Sequence, residues 1–333
     1  MADNDAAHPN SSELHSLAYQ VGGHAGIQVI GDGALIVKAA LPVELQFYQS
    51  IQADSALASL RQWVPTYIGT LRLEGQNTAE GLASVDGVPD HEKEMIVIEN
   101  VAHGFRKPNI LDIKLGTVLY DEDATPEKRE RMEKQARETT SAETGIRLTG
   151  FQLFGNESSE PLVVPKDYGK SLRATELHAG IARFFPVHDS MIGLPGADPG
   201  GRMDVGLPET LLVPILRIIR KSVQEIRDIL SRIELRMVGC SLLIVYEGDW
   251  SRAERSVEWL GKEEECVSSG EDEDEDEDEE DSEEDGGTDW PCAVRLIDFA
   301  HTRVVGGEGP DRGVLRGVDT VLGLLDGRIR SLM

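Results

Sequence analysis

The stretch Arg106–Thr117, "RKPNILDIKLGT", sets an acid and a base two residues apart on an otherwise apolar run. Leu111, Ile113 and Leu115 alternate with Asp112 and Lys114. That period of two predicts a strand, on which Asp112 and Lys114 share one face while the three aliphatic side chains enter a core. Pro108 and Gly116 bracket the run. Either the two charges satisfy each other as an ion pair, or they hold something that is not protein.

The flanking sequence predicts a small lobe before this strand and a larger one after it. Residues Tyr19–Ala40 read as short strands separated by glycine turns, and "PVELQFYQSIQA" as a helix opened by proline. "VPTYIGTLRL" and "EMIVIENV" read as further strands, giving an antiparallel sheet with one helix. Beyond the signature strand, Thr125 and Pro126 open a helix, and "RLTGFQLF" is a strand. The segment "PETLLVPILRIIRKSVQEIRDILSRIE" is an amphipathic core helix, "GCSLLIVYEG" and "AVRLIDFAHT" are strands, and "GVDTVLGLLDGRI" closes as a helix. The expectation is an α+β protein with a disordered terminus over 1–15, an N-lobe over 16–100 and a C-lobe over 101–333.

With 333 residues the chain is long enough for two lobes, and no apolar run is long enough to span a bilayer. No secretory leader is visible, and three scattered cysteines argue against a disulfide framework. These features predict an intracellular protein without stable membrane association. The formal charge of −27 is concentrated: residues 263–285 carry 17 acidic side chains and no basic one. Such a run repels itself and buries nothing, so a disordered insertion is expected over 262–288. It is either a solvated loop or a docking patch for basic nuclear or transcription proteins; its sign excludes direct nucleic-acid binding.

Several motifs carry chemistry. "LIDFAHT" places Asp298 at a strand end, resembling the metal-holding D-F-G of protein kinases. "ALIVKAA" sets Lys38 on a strand after a glycine hairpin, and Glu44 follows where a lysine-orienting acid would sit. "YGKS" is not a phosphate-binding P-loop, because Val164 stands where the loop needs glycine. An H-R-D catalytic loop is missing as well, which excludes an ordinary protein kinase.

"PNILDIKLG" matches the P-x-x-x-D-x-K-x-G signature of the inositol polyphosphate kinase family. "SLLIVYEG" and "IDFAH" resemble two more of its signatures in the same order, and "GALIVKAALPVELQFYQSIQ" and "LYDEDATPEKRERM" are most similar to the fungal multikinase branch. The resemblance runs from about Tyr19 to the C-terminus. It implies a bilobal fold distantly like protein kinases, with ATP in the cleft between the lobes and magnesium as the metal. It further implies that Lys38 holds ATP phosphates, that Glu99 and Val101 offer backbone groups to adenine, and that Asp112 meets the ribose. Lys114 would reach the substrate phosphates and the transferred group, Asp298 the metal, and His301 the inositol phosphate.

On the helix after the signature, Lys128 and Arg131 are candidate phosphate ligands, with Lys170 a lesser one. Two positions depart from the pattern: Cys240 replaces the first of a serine pair, and Gln152 stands where animal multikinases have arginine. The trisphosphate 3-kinases of that family carry a long helical insertion between the signature and the next strand. Only about thirty residues stand there in this sequence, so the resemblance implies a more open pocket, suited to several inositol phosphates. The expected activity is stepwise phosphorylation of inositol 1,4,5-trisphosphate to tetrakis- and pentakisphosphate, in the nucleus and cytoplasm. Two alternatives stand beside it: a hexakisphosphate kinase making pyrophosphates, and a non-catalytic transcriptional co-regulator acting through the acidic run.

Overall fold

The computed structural model describes residues 14–16, 26–71, 94–188, 205–269 and 290–333. A five-stranded antiparallel sheet forms the smaller lobe: β1 (Leu14–Ser16), β2 (Gln28–Ile30), β3 (Leu35–Ala40), β4 (Tyr67–Leu71) and β5 (Glu94–Glu99), ordered β1-β2-β3-β5-β4. Helix α1 (Pro42–Ala53) follows β3 directly, with Pro42 in its first turn and Leu41 at its cap. A 3-10 helix, Ser55–Trp63, comes next, burying Leu57, Leu60 and Trp63 at intervals of three residues.

The larger lobe is built on a second sheet, β11-β10-β6-β7-β8 in spatial order. Its strands are β6 (Pro108–Leu115), β7 (Ile146–Phe154), β8 (Pro161–Val164), β10 (Ser241–Glu247) and β11 (Cys292–Ile297). β9 (Leu235–Val238) and β12 (His301–Val304) pair as a separate ribbon. Helices α2 (Pro126–Glu138), α3 (Ser141–Thr144), α4 (Lys166–Ser171), α5 (Leu177–Phe184), α6 (Glu209–Leu230), α7 (Trp250–Ser269) and α8 (Arg312–Arg330) complete it.

The signature strand β6 lies at the centre of this sheet, paired antiparallel to β10 on one side and β7 on the other. Its alternation is as the sequence predicts. Leu111, Ile113 and Leu115 are fully buried, each removing a side chain from water at about 2 kcal/mol apiece. They join a core that includes Leu212, Ile215, Leu216, Ile219, Val223 and Ile226 from α6 and Val314, Val318, Val321 and Leu325 from α8. Asp112 and Lys114 occupy the opposite face, in line with Leu243 and Ser241 of β10. α4 reaches the sheet because of the "YGKS" glycine: a Cβ on Gly169 would stand 1.8 Å from the Leu148 carbonyl oxygen. Close packing, and no phosphate loop, explains that motif.

Three expectations change. Leu14 and His15, assigned to a disordered terminus, pair with Ile30 and Val29, because Leu14 packs on the small cluster of Val37, Met95 and Val97. The expected insertion over 262–288 begins inside α7, which runs on to Ser269; glutamates are good helix formers and need no burial. Residues 270–289, with the acidic run, lie outside the described residues. Finally, the lobe boundary falls at the end of β5, but the cores do not divide there. Phe47 of α1 stacks on Phe299 at 4.3 Å between ring centres, and Tyr48 meets the same ring edge-on, so α1 belongs to the core of the larger lobe. Among the described residues no helix is long and apolar enough to cross a membrane.

Candidate active site

Four elements bring the charged groups together. Strand β3 presents Lys38, α1 presents Glu44 one turn into the helix, β6 presents Asp112 and Lys114, and the turn after β11 presents Asp298. Lys38 Nζ lies 2.8 Å from Glu44 Oε1 and 3.6 Å from Asp298 Oδ1. Lys114 Nζ donates to Asp298 Oδ2 at 2.8 Å and to the Gly239 carbonyl at 2.9 Å. Phe299 N donates to Glu44 Oε1 at 3.3 Å, so the acid that orients Lys38 also braces the turn bearing Asp298. Glu44 thus stands beside Lys38, where its place near the start of the next helix puts a lysine-orienting acid.

Asp298 is the one non-glycine residue with positive φ (66°) among those described. Left-handed backbone is unfavourable for most side chains and least so for Asp and Asn. Its strain aims the carboxylate between the two ammonium groups rather than into the core. Burial works against both lysines, but the acids outweigh it. Glu44 and then Asp298 raise the Lys38 pKa, while Asp298 and then Asp112 raise that of Lys114. Both stay cationic throughout the physiological range.

Asp112 shares the face of Lys114 but sits deeper. It is 1% exposed, and neither carboxylate oxygen has a hydrogen-bond partner of good geometry. Burial pushes its pKa up, against the opposing pull of Lys114. The ribose contact implied for Asp112 therefore requires its side chain to turn outward; in this conformation it is covered. Arg147, which sequence reading did not single out, lies across β7 from Lys114 with a buried Nη1 that has no partner. Burial lowers the Arg147 pKa, against Asp112. Only the sheet register reveals this pairing, because the two stand 33 positions apart in sequence.

A second group lies three residues beyond Asp298. His301 Nδ1 stands 2.9 Å from Asp121 Oδ2, and Lys128 Nζ stands 3.8 Å from the same oxygen. A cavity of about 420 Å³ opens here, lined by Tyr120, Asp121, Arg129, Arg236, His301 and Arg303 among others. The N–H groups of Arg129 and Arg236 are largely spent on backbone carbonyls. Asp121 went unnoticed in the sequence because "YDEDA" reads as an ordinary acidic turn.

The remaining candidates are dispersed. Arg131 is exposed, and among the described residues no ion pair or hydrogen bond reaches it, since α2 turns Met132, Gln135 and Ala136 inward instead. Lys170 is exposed and paired with Asp167 at 3.2 Å. The Glu99 side chain accepts from Thr66 N and Oγ1, and Val101 packs against Phe105 and Val245, so only their backbone groups can serve a ligand. Gln152 is buried and donates to the Pro108 carbonyl, which removes it from any pocket wall.

The donor set suits a divalent cation held jointly with a nucleotide. Among the described residues no three His, Cys, Asp or Glu side chains converge to cage a metal. One carboxylate, Asp298, faces the cleft beside two cations. Magnesium-like ions characteristically bind through one or two carboxylates, with phosphate oxygens and water completing the shell.

Comparison with known proteins identifies the family. Residues 95–326 match the model of the family described as inositol polyphosphate kinase. The chain is 32% identical to the inositol polyphosphate multikinase of Saccharomyces cerevisiae, over 92% of this chain and 96% of that protein. It is 30% identical to mouse inositol hexakisphosphate kinase 3 over 71% of this chain, but spans only 51% of that longer protein. Among solved structures, the S. cerevisiae multikinase Ipk2 in complex with ADP and Mn2+ superposes with a TM-score of 0.59 at 29% identity. That match covers 89% of this chain and 99% of the other.

Proposed function

Because the chain belongs to the inositol polyphosphate kinase family, we propose that it is a multikinase, adding phosphates one after another to soluble inositol polyphosphates. ATP-dependent phosphorylation of inositol phosphates is the activity. The finer reading, from inositol 1,4,5-trisphosphate to tetrakis- and pentakisphosphate with Mg2+ as the metal, is our own. The observation that carries it is the bridge of Asp298 between Lys38 and Lys114, which gathers two cations and one metal-competent carboxylate at a single point of the cleft.

Phosphoryl transfer asks little covalent work of a protein; it needs alignment and a field that favours charge on the transferred group. Lys38, held by Glu44, grips the ATP phosphates from the smaller lobe. Asp298 would hold the metal, which when bound would neutralise charge on the phosphate oxygens. Lys114 leaves Asp298 for the transferred phosphoryl group, and its position between nucleotide and acceptor makes the step effectively intramolecular. The acceptor hydroxyl forms the new O–P bond and gives up its proton to solvent, as the bond from the γ-phosphorus to the bridging oxygen breaks and ADP leaves. Arg147 adds a second cation beside Lys114. His301 and Lys128, gathered by Asp121, hold the phosphates of the inositol ring in the adjoining cavity. The acidic run is a docking segment for basic nuclear proteins, separate from the chemistry.

The test is turnover of inositol 1,4,5-trisphosphate with ATP and Mg2+, with products resolved by phosphate position. Stepwise tetrakis- and pentakisphosphate, absent with Lys114→Ala, are expected. Pyrophosphate formation on the hexakisphosphate without turnover of the trisphosphate would overturn the multikinase reading.

A further inference from the structure

Glu247, the last residue of β10, is 1% exposed and lies at the opposite end of its strand from Ser241 and the reacting groups. Its oxygens accept hydrogen bonds from Arg106 N at 2.8 Å, Lys107 N at 2.9 Å and Asp249 N at 2.9 Å. Arg252 Nε stands 3.9 Å away, itself buried, so the charge is matched as well as solvated by backbone. Asp249 in turn caps α7 through the Arg252 amide and stands 3.8 Å from Arg106 Nε.

The two amides from residues 106 and 107 close the connection between the lobes. At the other end of that connection, Asn100 Nδ2 donates to the Gly33 carbonyl at 2.7 Å and Asn100 N to the Ala34 carbonyl at 2.8 Å, which ties it to the β2–β3 hairpin. Between these two fastenings the chain makes a tight turn, with His103 N bonded to the Asn100 carbonyl and Phe105 N to that of Ala102. The segment is thus anchored on the smaller lobe by an amide side chain and on the larger one by a buried carboxylate.

We propose that Glu247 is a positioning residue for the nucleotide: by holding the Arg106 and Lys107 amides it fixes where the connecting backbone stands over the cleft, and so how that backbone meets the adenine. The inference rests on the reading of Glu99 and Val101 as the adenine contacts. Bonds to an ionised acceptor are about twice as strong as neutral ones. A neutral amide at position 247 would turn an NH2 group toward these N–H donors and lose at least one of them. On the larger lobe the connection would then rest on the Gly248 N–Lys107 carbonyl bond at 2.9 Å and the Lys107 ammonium on the Gly155 carbonyl at 3.1 Å, with its amides held less firmly.

Glu247→Gln and Glu247→Asp in the full chain test this, by steady-state kinetics with ATP and inositol 1,4,5-trisphosphate and by melting with and without ADP. For the glutamine variant, KM for ATP should rise about tenfold, with kcat and KM for the trisphosphate within about twofold. The rise in melting temperature on adding ADP should shrink in parallel. The aspartate variant keeps the charge and should recover part of both; if the glutamine variant does not fold, the aspartate variant is read by the same comparison. A lower melting temperature with both KM values unchanged would make Glu247 a structural staple and overturn the proposal. If the unaltered protein shows no ADP-induced shift, the adenine reading fails, and this inference fails with it.

Discussion

Lys114 and Asp298 stand 184 positions apart in the chain, yet Nζ and Oδ2 are separated by 2.8 Å, and the other oxygen of Asp298 faces Lys38. The carboxylate therefore keeps two ammonium groups from confronting each other as well as offering a metal ligand. Asp298→Asn retains a residue that tolerates positive φ, and should fold while losing at least about a hundredfold in kcat. Asp298→Ala should lose activity equally and melt lower than the asparagine variant, because alanine adds backbone strain. Equal melting temperatures for the two variants would show that the left-handed backbone carries no strain.

Asp112 lets stability and activity be separated. Burial raises its pKa, so the folded state disfavours the ionised carboxylate, and the penalty applies above the folded pKa and vanishes below the ordinary value of 3.8. Asp112→Asn should therefore melt higher than the unaltered protein at pH 7, with the gap closing as the pH falls toward 4. Turnover should be lost. A lower melting temperature at pH 7 would contradict the burial argument.

The acceptor side makes a graded prediction. His301→Ala and Lys128→Ala should each raise KM for inositol 1,4,5-trisphosphate about tenfold and leave KM for ATP alone. Lys170, exposed and paired locally with Asp167, should matter less than about twofold when changed to Ala. Steady-state kinetics on the three variants would expose a wrong assignment if Lys170 proved the most costly.

Trp259 of α7 and Trp290 meet edge to face, 5.8 Å between ring centres, so the middle of α7 is held against the chain that follows the acidic run by a contact outside that run. Replacing 270–289 with a short Gly-Ser linker should keep turnover within about twofold, since loop closure depends only weakly on length. A large fall in kcat would tie the acidic segment to the chemistry.

Much of this was legible because each strong signal is local. The alternation around Asp112 and Lys114 gave β6 and its two faces, and Thr125 with Pro126 gave the start of α2, where Thr125 Oγ1 does accept from the Lys128 amide. Lys38 and Glu44 were readable because six residues place the strand end and the first helical turn side by side. What stayed hidden depends on register and long-range packing. Arg147 joins the site only through its pairing with Lys114, Asp121 only by meeting a histidine 180 residues on, and Glu247 only through backbone amides, which no side-chain pattern records. Arg131, a candidate beside Lys128 on the same helix, faces solvent because α2 buries a different stripe.

The placement of β6 has a consequence for how this protein lives and fails. A strand flanked on both sides, with its reverse face sealed by fully buried Leu111, Ile113 and Leu115, opens only when the larger lobe opens as a whole. Lys114 can reach its working position only after residues from β10, β7 and the turn beyond β11 have all come together. A nascent or damaged chain thus carries no half-made phosphate site, and the ability to transfer phosphate reports the integrity of the entire larger lobe.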